Sequence, residues 1–192
     1  TERGIVKKTS LMAYSKPRQG GVIGLTIDKG DRLIGAELCD GKSDILLATE
    51  KGFSIRFSEK EARPIGRTGR GVRGIRLKPD DQVVGAEIVH PGNMLLTITS
   101  NGYGKRTQLE EYPVQGRGGL GVMTIRCSEK IGSVVGIQQV TESDQLLVIT
   151  SDGNIVRMKV DEISVIGRNT QGVRLVGTGE SNQVVSVEKL VE

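Results

Sequence analysis

Glycine and arginine recur together in four short connectors, and these are the segments of the sequence best suited to bind a ligand. The connectors are residues 16–21, 66–71, 115–121 and 167–172, with Arg18, Arg67, Arg117 and Arg168 inside them. Glycine lets main-chain N–H groups approach an anion, and the planar guanidinium of arginine pairs with two phosphate oxygens at once. Four such connectors predict binding to a polyphosphate, and the polyphosphate that we predict is duplex DNA.

Recurrence in register is what favours DNA binding over a structural explanation. Basic turns also keep the edges of ordinary β-proteins soluble, so one such connector would indicate little. If four connectors lie at one radius, their charges form an arc that a duplex follows by bending, at a cost on the order of 1–6 kcal/mol for 40–90° over 20–30 bp. Phosphate contacts do not read bases, so we expect weak sequence specificity and steep salt dependence.

The predicted DNA contacts also include basic residues beside the connectors and in short strands that follow predicted turns. The full predicted set is Lys7, Lys8, Lys16, Arg18, Arg56, Arg67, Arg70, Arg73, Lys105, Arg106, Arg117, Arg157, Arg168 and Arg174. Acidic residues cluster elsewhere, at 59–61, 80–81 and 110–111, which is typical of one basic face and one solvated face.

The remaining reactive residue types do not assemble into an active site, and we predict no catalytic residue, metal or cofactor. His90 is the single histidine and stands beside a Pro-Gly turn, and the three tyrosines lie in or near predicted strands without an acid–base cluster. Residues 116–121 match the spacing G-x-G-x-x-G, but a dinucleotide site needs a helix after it and a strand is predicted there.

A repeat of about 50 residues positions the connectors. A Gly-Val step follows each one and recurs at intervals of 50, 50 and 51 residues, at Gly21, Gly71, Gly121 and Gly172. Apolar runs at 46–49, 95–99 and 146–150 each lead into a turn ending in glycine, and a further run recurs at 33–37, 83–87, 134–137 and 184–187. Together with the run at 23–27, these patterns predict about four short strands in each repeat.

The fold class is therefore all-β, with propeller-like four-stranded blades of about 50 residues. We predict one repeat domain over 1–192, divided into a partial blade at 1–20, repeats at 21–70, 71–120 and 121–171, and a final partial repeat at 172–192. Because such blades bury their faces on their neighbours, the chain is interpreted as part of a larger wheel.

Composition narrows the function further. The net charge is +4, and aromatic residues are 3% of the chain with no tryptophan, so base stacking is not the main recognition device. The two cysteines are far apart, which fits a reducing cytoplasm. No apolar run approaches the roughly 18 residues that would span a membrane.

Several segments carry a resemblance to a known family. Residues 4–9, 69–77, 101–107, 112–119 and 166–173 are similar to the C-terminal domain of the A subunit of bacterial DNA gyrase. The resemblance implies a β-pinwheel of six blades, of which this chain supplies about the last four, that wraps DNA on a basic perimeter and supports negative supercoiling. It also implies three partners: duplex DNA, the rest of the A subunit and the B subunit of an ATP-dependent type II topoisomerase. The implied location is the nucleoid in the bacterial cytoplasm.

The family's signature box has the form Gln-basic-Arg-Gly-Gly-basic-Gly, and residues 115–121 match it incompletely. Gly116 and Leu120 replace its two basic positions, so this segment resembles a degenerate copy. Two alternatives stay open: the related wheel of a topoisomerase IV subunit, and a propeller that binds a protein on its face or in its central channel.

Overall fold

The computed structural model describes residues 1–179 and 182–190 as short β-strands joined by turns and 3-10 helices. The strands are β1 (Ile5–Val6), β2 (Asp44–Thr49), β3 (Phe53–Ser58), β4 (Val72–Arg73), β5 (Val83–Val89), β6 (Met94–Thr99), β7 (Tyr103–Gln108), β8 (Val122–Met123), β9 (Val134–Val140), β10 (Gln145–Thr150), β11 (Ile155–Lys159), β12 (Val173–Arg174) and β13 (Val184–Leu190). The 3-10 helices are Leu11–Tyr14, Glu59–Glu61, Leu109–Glu111 and Val160–Glu162.

Three hairpins form where the sequence places a glycine after an apolar run. The pairs β2–β3, β6–β7 and β10–β11 are antiparallel, and their turns end at Gly52, Gly102 and Gly153. All three glycines have positive φ, between 78° and 85°, which a residue with a side chain rarely adopts. The turn glycines therefore determine where each hairpin folds back.

Each hairpin is extended by strands that come later in the chain. The sheet orders are β5-β2-β3-β8, β12-β7-β6-β9, β11-β10-β13 and β1-β4. The short outer strands pair over long distances: Arg73 with Ile5, Met123 with Phe53 and Arg174 with Tyr103. Every sheet with an outer strand thus joins segments from different repeats, which ties neighbouring blades together.

The hydrophobic core lies between successive sheets. One buried cluster contains Ile55 and Ile75, the next contains Leu46 and Ile125, and the third contains Leu96 and further apolar side chains. The strands β5, β9 and β13 contact one another in turn along one side of the sheets. The short strands β8 and β12 lie at the opposite edge of their sheets, and β4 pairs with β1 in a two-stranded sheet.

The predicted all-β class with four-stranded blades is confirmed, but two strand predictions in the first repeat are wrong. Residues 23–27 and 33–37 form no strand in this structure. Within the described residues, neither segment pairs with another strand. Without a partner, apolar side chains such as Ile23 and Leu33 are exposed.

No helix in 1–179 or 182–190 is long and apolar enough to cross a membrane. Within the same residues, no group of three or more His, Cys, Asp or Glu side chains is arranged to hold a metal ion.

Candidate nucleic-acid interface

The last three connectors have the same construction. Each follows a 3-10 helix and leads into a short outer strand, at residues 66–71, 116–121 and 167–172. The final glycines Gly71, Gly121 and Gly172 have φ between 73° and 92°. A Cβ on any of them would collide with a backbone carbonyl of the hairpin strand beside it, that of Val6, Ser54 or Gly104. This close approach explains why each Gly-Val step begins with glycine.

The equivalent arginines of these connectors make one repeated contact. The guanidinium groups of Arg67, Arg117 and Arg168 donate from Nη1 to the backbone carbonyls of Ile23, Arg73 and Met123, at 3.0, 3.0 and 2.9 Å. The acceptor stands 44 or 45 residues earlier in every case. Counted from one hairpin to the next, the repeats of the structure run from β2 to β5, β6 to β9 and β10 to β13, so each arginine links its connector to the repeat before it. A guanidinium has five donors, so each arginine keeps other N–H groups.

Two glutamates occupy backbone donors of the connectors. The amide N–H of Arg117 donates to the Glu61 carboxylate at 2.9 Å, and the amide of Arg168 donates to Glu111 at 3.1 Å. Both carboxylates come from the 3-10 helix one repeat earlier, Glu59–Glu61 for the Arg117 amide and Leu109–Glu111 for the Arg168 amide. The amides of Arg117 and Arg168 are therefore not available to the predicted anion cradle.

Two predicted contact residues, Lys105 and Arg106, are buried. Lys105 is 0% exposed and its ammonium group donates to the 167–170 backbone, while Arg106 is 4% exposed and its Nε donates to the Ile163 carbonyl at 2.7 Å. Lys7, the equivalent of Lys105, donates to the carbonyls of Gly66 and Arg67. Because a phosphate cannot reach Lys105 or Arg106, neither is a direct DNA contact.

Lys8 and Arg56, at the repeat position of Arg106, also bind the following repeat. Lys8 Nζ donates to the Glu59 carbonyl at 3.0 Å, and Arg56 Nη1 donates to the Leu109 carbonyl at 3.0 Å. Arg56 also forms an ion pair with Asp44 at 2.9 Å. Arg157, the fourth equivalent, is exposed and donates from Nε to the Gln145 side chain at 2.6 Å. The basic strand is thus mainly a link between blades.

Other predicted contacts are exposed. Lys16 and Arg18 lie in the first connector, and Arg73 lies in β4. Arg70 forms an exposed ion pair with Asp28 at 3.2 Å. Arg174, in β12, donates to the Tyr103 hydroxyl at 3.1 Å and lies 5.3 Å from the centre of that ring.

The sequence prediction missed Arg76 and Arg126, which are exposed beside two connectors. Their backbone N–H groups donate to the carbonyls of Gly119 and Thr170, each at 2.8 Å. The Arg126 guanidinium also donates to Asn169 at 3.0 Å. Both arginines stand five residues after the glycine of a Gly-Val step, 50 residues apart, so the repeat itself contained the signal.

Comparison with known proteins gives one family and a consistent set of relatives. The sequence profile described as "DNA gyrase C-terminal domain, beta-propeller" matches residues 1–40, 43–90, 93–141 and 144–190. The DNA gyrase A subunit from Buchnera aphidicola subsp. Acyrthosiphon pisum is 58% identical, and its counterpart from Salmonella typhimurium is 46% identical. Each alignment covers 100% of this chain, but only 23% and 22% of those relatives, so the chain spans about a fifth of their length.

Two solved structures have the same fold. A crystal structure of the C-terminal domain of DNA topoisomerase IV matches 98% of this chain and 59% of that chain, with a TM-score of 0.93 and 26% identity. A structure of the DNA gyrase A C-terminal domain matches 99% of this chain and 64% of that chain, with a TM-score of 0.89 and 25% identity.

Proposed function

The chain belongs to the DNA gyrase C-terminal domain family, and from that premise we propose that it binds and bends duplex DNA as a non-catalytic part of a gyrase A subunit. In this proposal the other regions of the A subunit, together with the B subunit, carry out ATP-dependent strand passage. The chain supplies curvature that biases the reaction towards negative supercoils. It acts on the chromosome in the bacterial cytoplasm.

The repeated arginine-to-carbonyl contact is the observation that carries this proposal. It gives the connectors at 66–71, 116–121 and 167–172 the same relation to the repeat before them. All three lead into short outer strands, and two of these, β8 and β12, lie at the sheet edge opposite to the packed strands β5 and β9. An array of equivalent cationic segments on one edge suits a polyanion that runs past successive blades.

We propose a revised set of contact residues on this basis. The exposed or half-exposed cations on or beside the connectors are Lys16, Arg18, Arg67, Arg70, Arg73, Arg76, Arg117, Arg126, Arg168 and Arg174. The last two connectors each bind a cationic residue of the preceding repeat: the Arg117 guanidinium donates to the Arg73 carbonyl, and the Arg126 amide donates to the Thr170 carbonyl. Lys7, Lys8, Arg56, Lys105 and Arg106 serve the connectors or the blades from within.

Two measurements test the proposal. In a titration of duplex binding against salt, log K should fall linearly with log[salt], with a slope of about −0.9 for each phosphate neutralised. When a DNA circle is relaxed by a topoisomerase in the presence of the chain and then deproteinised, its linking number should differ from that of the protein-free control. A flat salt dependence or an unchanged linking number would contradict DNA wrapping.

A charge-reversal variant separates DNA binding from protein binding on the wheel's face. Charge reversal at Arg67, Arg70 and Arg117 should abolish duplex binding and leave the thermal unfolding transition cooperative. If DNA affinity survived this triple reversal, the connectors would not be the contact surface.

A further inference from the structure

Lys105 and Lys7 occupy the same position in two repeats, and both ammonium groups bind the backbone of an arginine connector. Lys105 Nζ donates to the carbonyls of Gly167 and Arg168, at 2.6 and 2.5 Å, and to the Thr170 hydroxyl at 3.0 Å. An ammonium group has three donors, so this arrangement uses them all. The hydrogen bonds span over 60 residues of sequence and fix the backbone of 167–170.

Lys7 makes the corresponding contacts two repeats earlier. Its Nζ donates to the carbonyls of Gly66 and Arg67, at 3.1 and 2.5 Å, and to that of Gly24 at 2.5 Å. The backbone of two connectors is therefore bound by an equivalent lysine. In each case the acceptors include the carbonyl of the connector arginine, Arg67 or Arg168.

The equivalent position in the repeat between them shows that the fold does not require a lysine there. Ile55 stands at this position in β3, 0% exposed, in the apolar cluster between two sheets. An aliphatic side chain fills the site without any loss of the hairpin, which pairs with both neighbouring strands. Burying an ammonium group is unfavourable unless its hydrogen bonds are made. The presence of lysine at two of the equivalent positions therefore indicates that its hydrogen bonds to the connectors have a role.

We propose that Lys105 and Lys7 are positioning residues for DNA binding, each holding one arginine connector in the conformation that meets the phosphate backbone. The proposal rests on the proposed function, since it assigns these lysines a part in the same interface. Neither lysine touches the DNA, and both act through the connector arginines.

The same burial makes the connector at 167–172 sensitive to pH. Burial lowers the pKa of Lys105 to about 8; the nearby Glu111 carboxylate raises it and the Arg168 guanidinium lowers it further. Burial and the neighbouring Arg67 charge also lower the pKa of Lys7. A neutral amine has one donor fewer and no charge, so the hold on the connector weakens as pH rises through about 8.

Global unfolding does not account for such a loss. Because the pKa of Lys105 is about 8 in the folded chain and 10.5 for a lysine in its ordinary solvated state, the unfolded chain binds more protons between these values. This group therefore raises the free energy of unfolding as pH rises from about 8 to 10.5. DNA affinity and stability should move in opposite directions over this range.

The test compares duplex affinity of the wild-type chain, Lys105→Met and the control Lys42→Met at pH 7 and pH 9. Lys42 is exposed before β2 and outside the connectors, so the control removes one charge without loosening a connector. At pH 7 and 0.1 M salt, the loss of one phosphate contact should weaken duplex binding by Lys105→Met about eightfold. One contact changes the slope of log K against log[salt] by about 0.9, and extrapolation over the tenfold range from 1 M to 0.1 M salt gives a factor of about 8. The ratio of wild-type to variant affinity should fall below about twofold at pH 9, because a group with a pKa of about 8 is then about 90% deprotonated.

Three results would decide the matter. An affinity ratio within about twofold at pH 7 would overturn the positioning role while leaving DNA binding intact, and a ratio that stays near eightfold at pH 9 would overturn the pH dependence assigned to Lys105. Absence of salt-dependent binding by the wild-type chain would instead refute the proposed function. Amide hydrogen exchange of residues 167–172, measured without DNA, should be faster in Lys105→Met, and unchanged exchange would overturn the inference independently.

A second variant keeps the test available if Lys105→Met does not fold. Lys7 is half-buried, and Lys7→Met should loosen residues 66–71 and lower the affinity by a similar factor. The duplex affinity of the double variant Lys7→Met/Lys105→Met should itself stay the same at pH 7 and pH 9. A pH dependence that persisted in the double variant would refute the assignment to these two lysines.

Discussion

Substitution of Arg76 and Arg126 is the most direct test of the proposed DNA interface, because it is the structure that places these two arginines beside the connectors. Both are exposed, and their backbone N–H groups are hydrogen-bonded to the connectors at 116–121 and 167–172. Each belongs to the repeat before the connector it adjoins. If the interface is composed of connectors together with the preceding repeat, the variant Arg76→Gln/Arg126→Gln must lose phosphate contacts without losing its fold.

The size of the effect follows from the number of contacts removed. Each phosphate contact contributes about 0.9 to the slope of log K against log[salt], so losing two should make the slope less steep by about 1.8. Extrapolated from 1 M salt, this difference is about 60-fold in affinity at 0.1 M and about 20-fold at 0.2 M. Since neither guanidinium is buried, the free energy of unfolding should change by less than about 0.5 kcal/mol.

Fluorescence anisotropy of a labelled duplex, measured across a series of salt concentrations, gives both the affinity and the slope. The control is Lys42→Gln/Lys159→Gln, which removes the same charge from two exposed residues at strand ends distant from the hairpin turns. We expect its slope to stay within about 0.5 of the wild-type value. Equal losses in the two double variants would show that only net charge matters and would refute the interface described above.

Two further predictions concern the packing that supports the connectors. Gly102→Ala should destabilise the chain by at least about 2 kcal/mol more than Gly153→Ala. Both glycines have positive φ, but a Cβ on Gly102 would collide with the Val176 carbonyl, whereas a Cβ on Gly153 would meet nothing within 4 Å. Equal midpoints in urea for the two variants would contradict this steric account. Tyr112→Phe removes the buried 2.7 Å hydrogen bond to the Thr124 hydroxyl and should lower the free energy of unfolding by about 1–3 kcal/mol, measured by thermal unfolding. Adding Thr124→Val should recover part of that loss, because no buried hydroxyl is then left without a partner.

The sequence predicted the repeat unit and the hairpins well because those depend on local chemistry. A glycine after an apolar run determines a turn, and Gly102 and Gly153 lie in hairpin turns as predicted. The pairing partner of a short strand is not a local property. Val72 pairs with Val6 across an interval longer than a repeat, so no pattern within one repeat predicts which sheet it joins.

The roles of individual cations were less accessible to sequence reasoning, because burial depends on that same long-range pairing. Lys105 and Arg106 occupy a basic strand that is typical of a DNA contact, yet the outer strand β12 and the next 3-10 helix cover them. Arg76 and Arg126 show the opposite: nothing around them in the sequence marks a ligand, and the fold brings them beside glycine-rich connectors. Their recurrence at equal spacing was the available signal.

Exchange of strands between repeats also explains why the cationic surface and the fold cannot be separated in this chain. A connector is positioned by an arginine bound to the repeat before it and, in two cases, by a lysine of an earlier hairpin. Its charge therefore has a defined place relative to the neighbouring blade, which is what a bent duplex requires of successive contacts. A connector grafted onto an unrelated β-turn would keep its arginine and glycines but lose the carbonyl and ammonium partners that orient them. DNA wrapping is in this view a property of adjacent repeats, and the smallest unit that can express it is two blades.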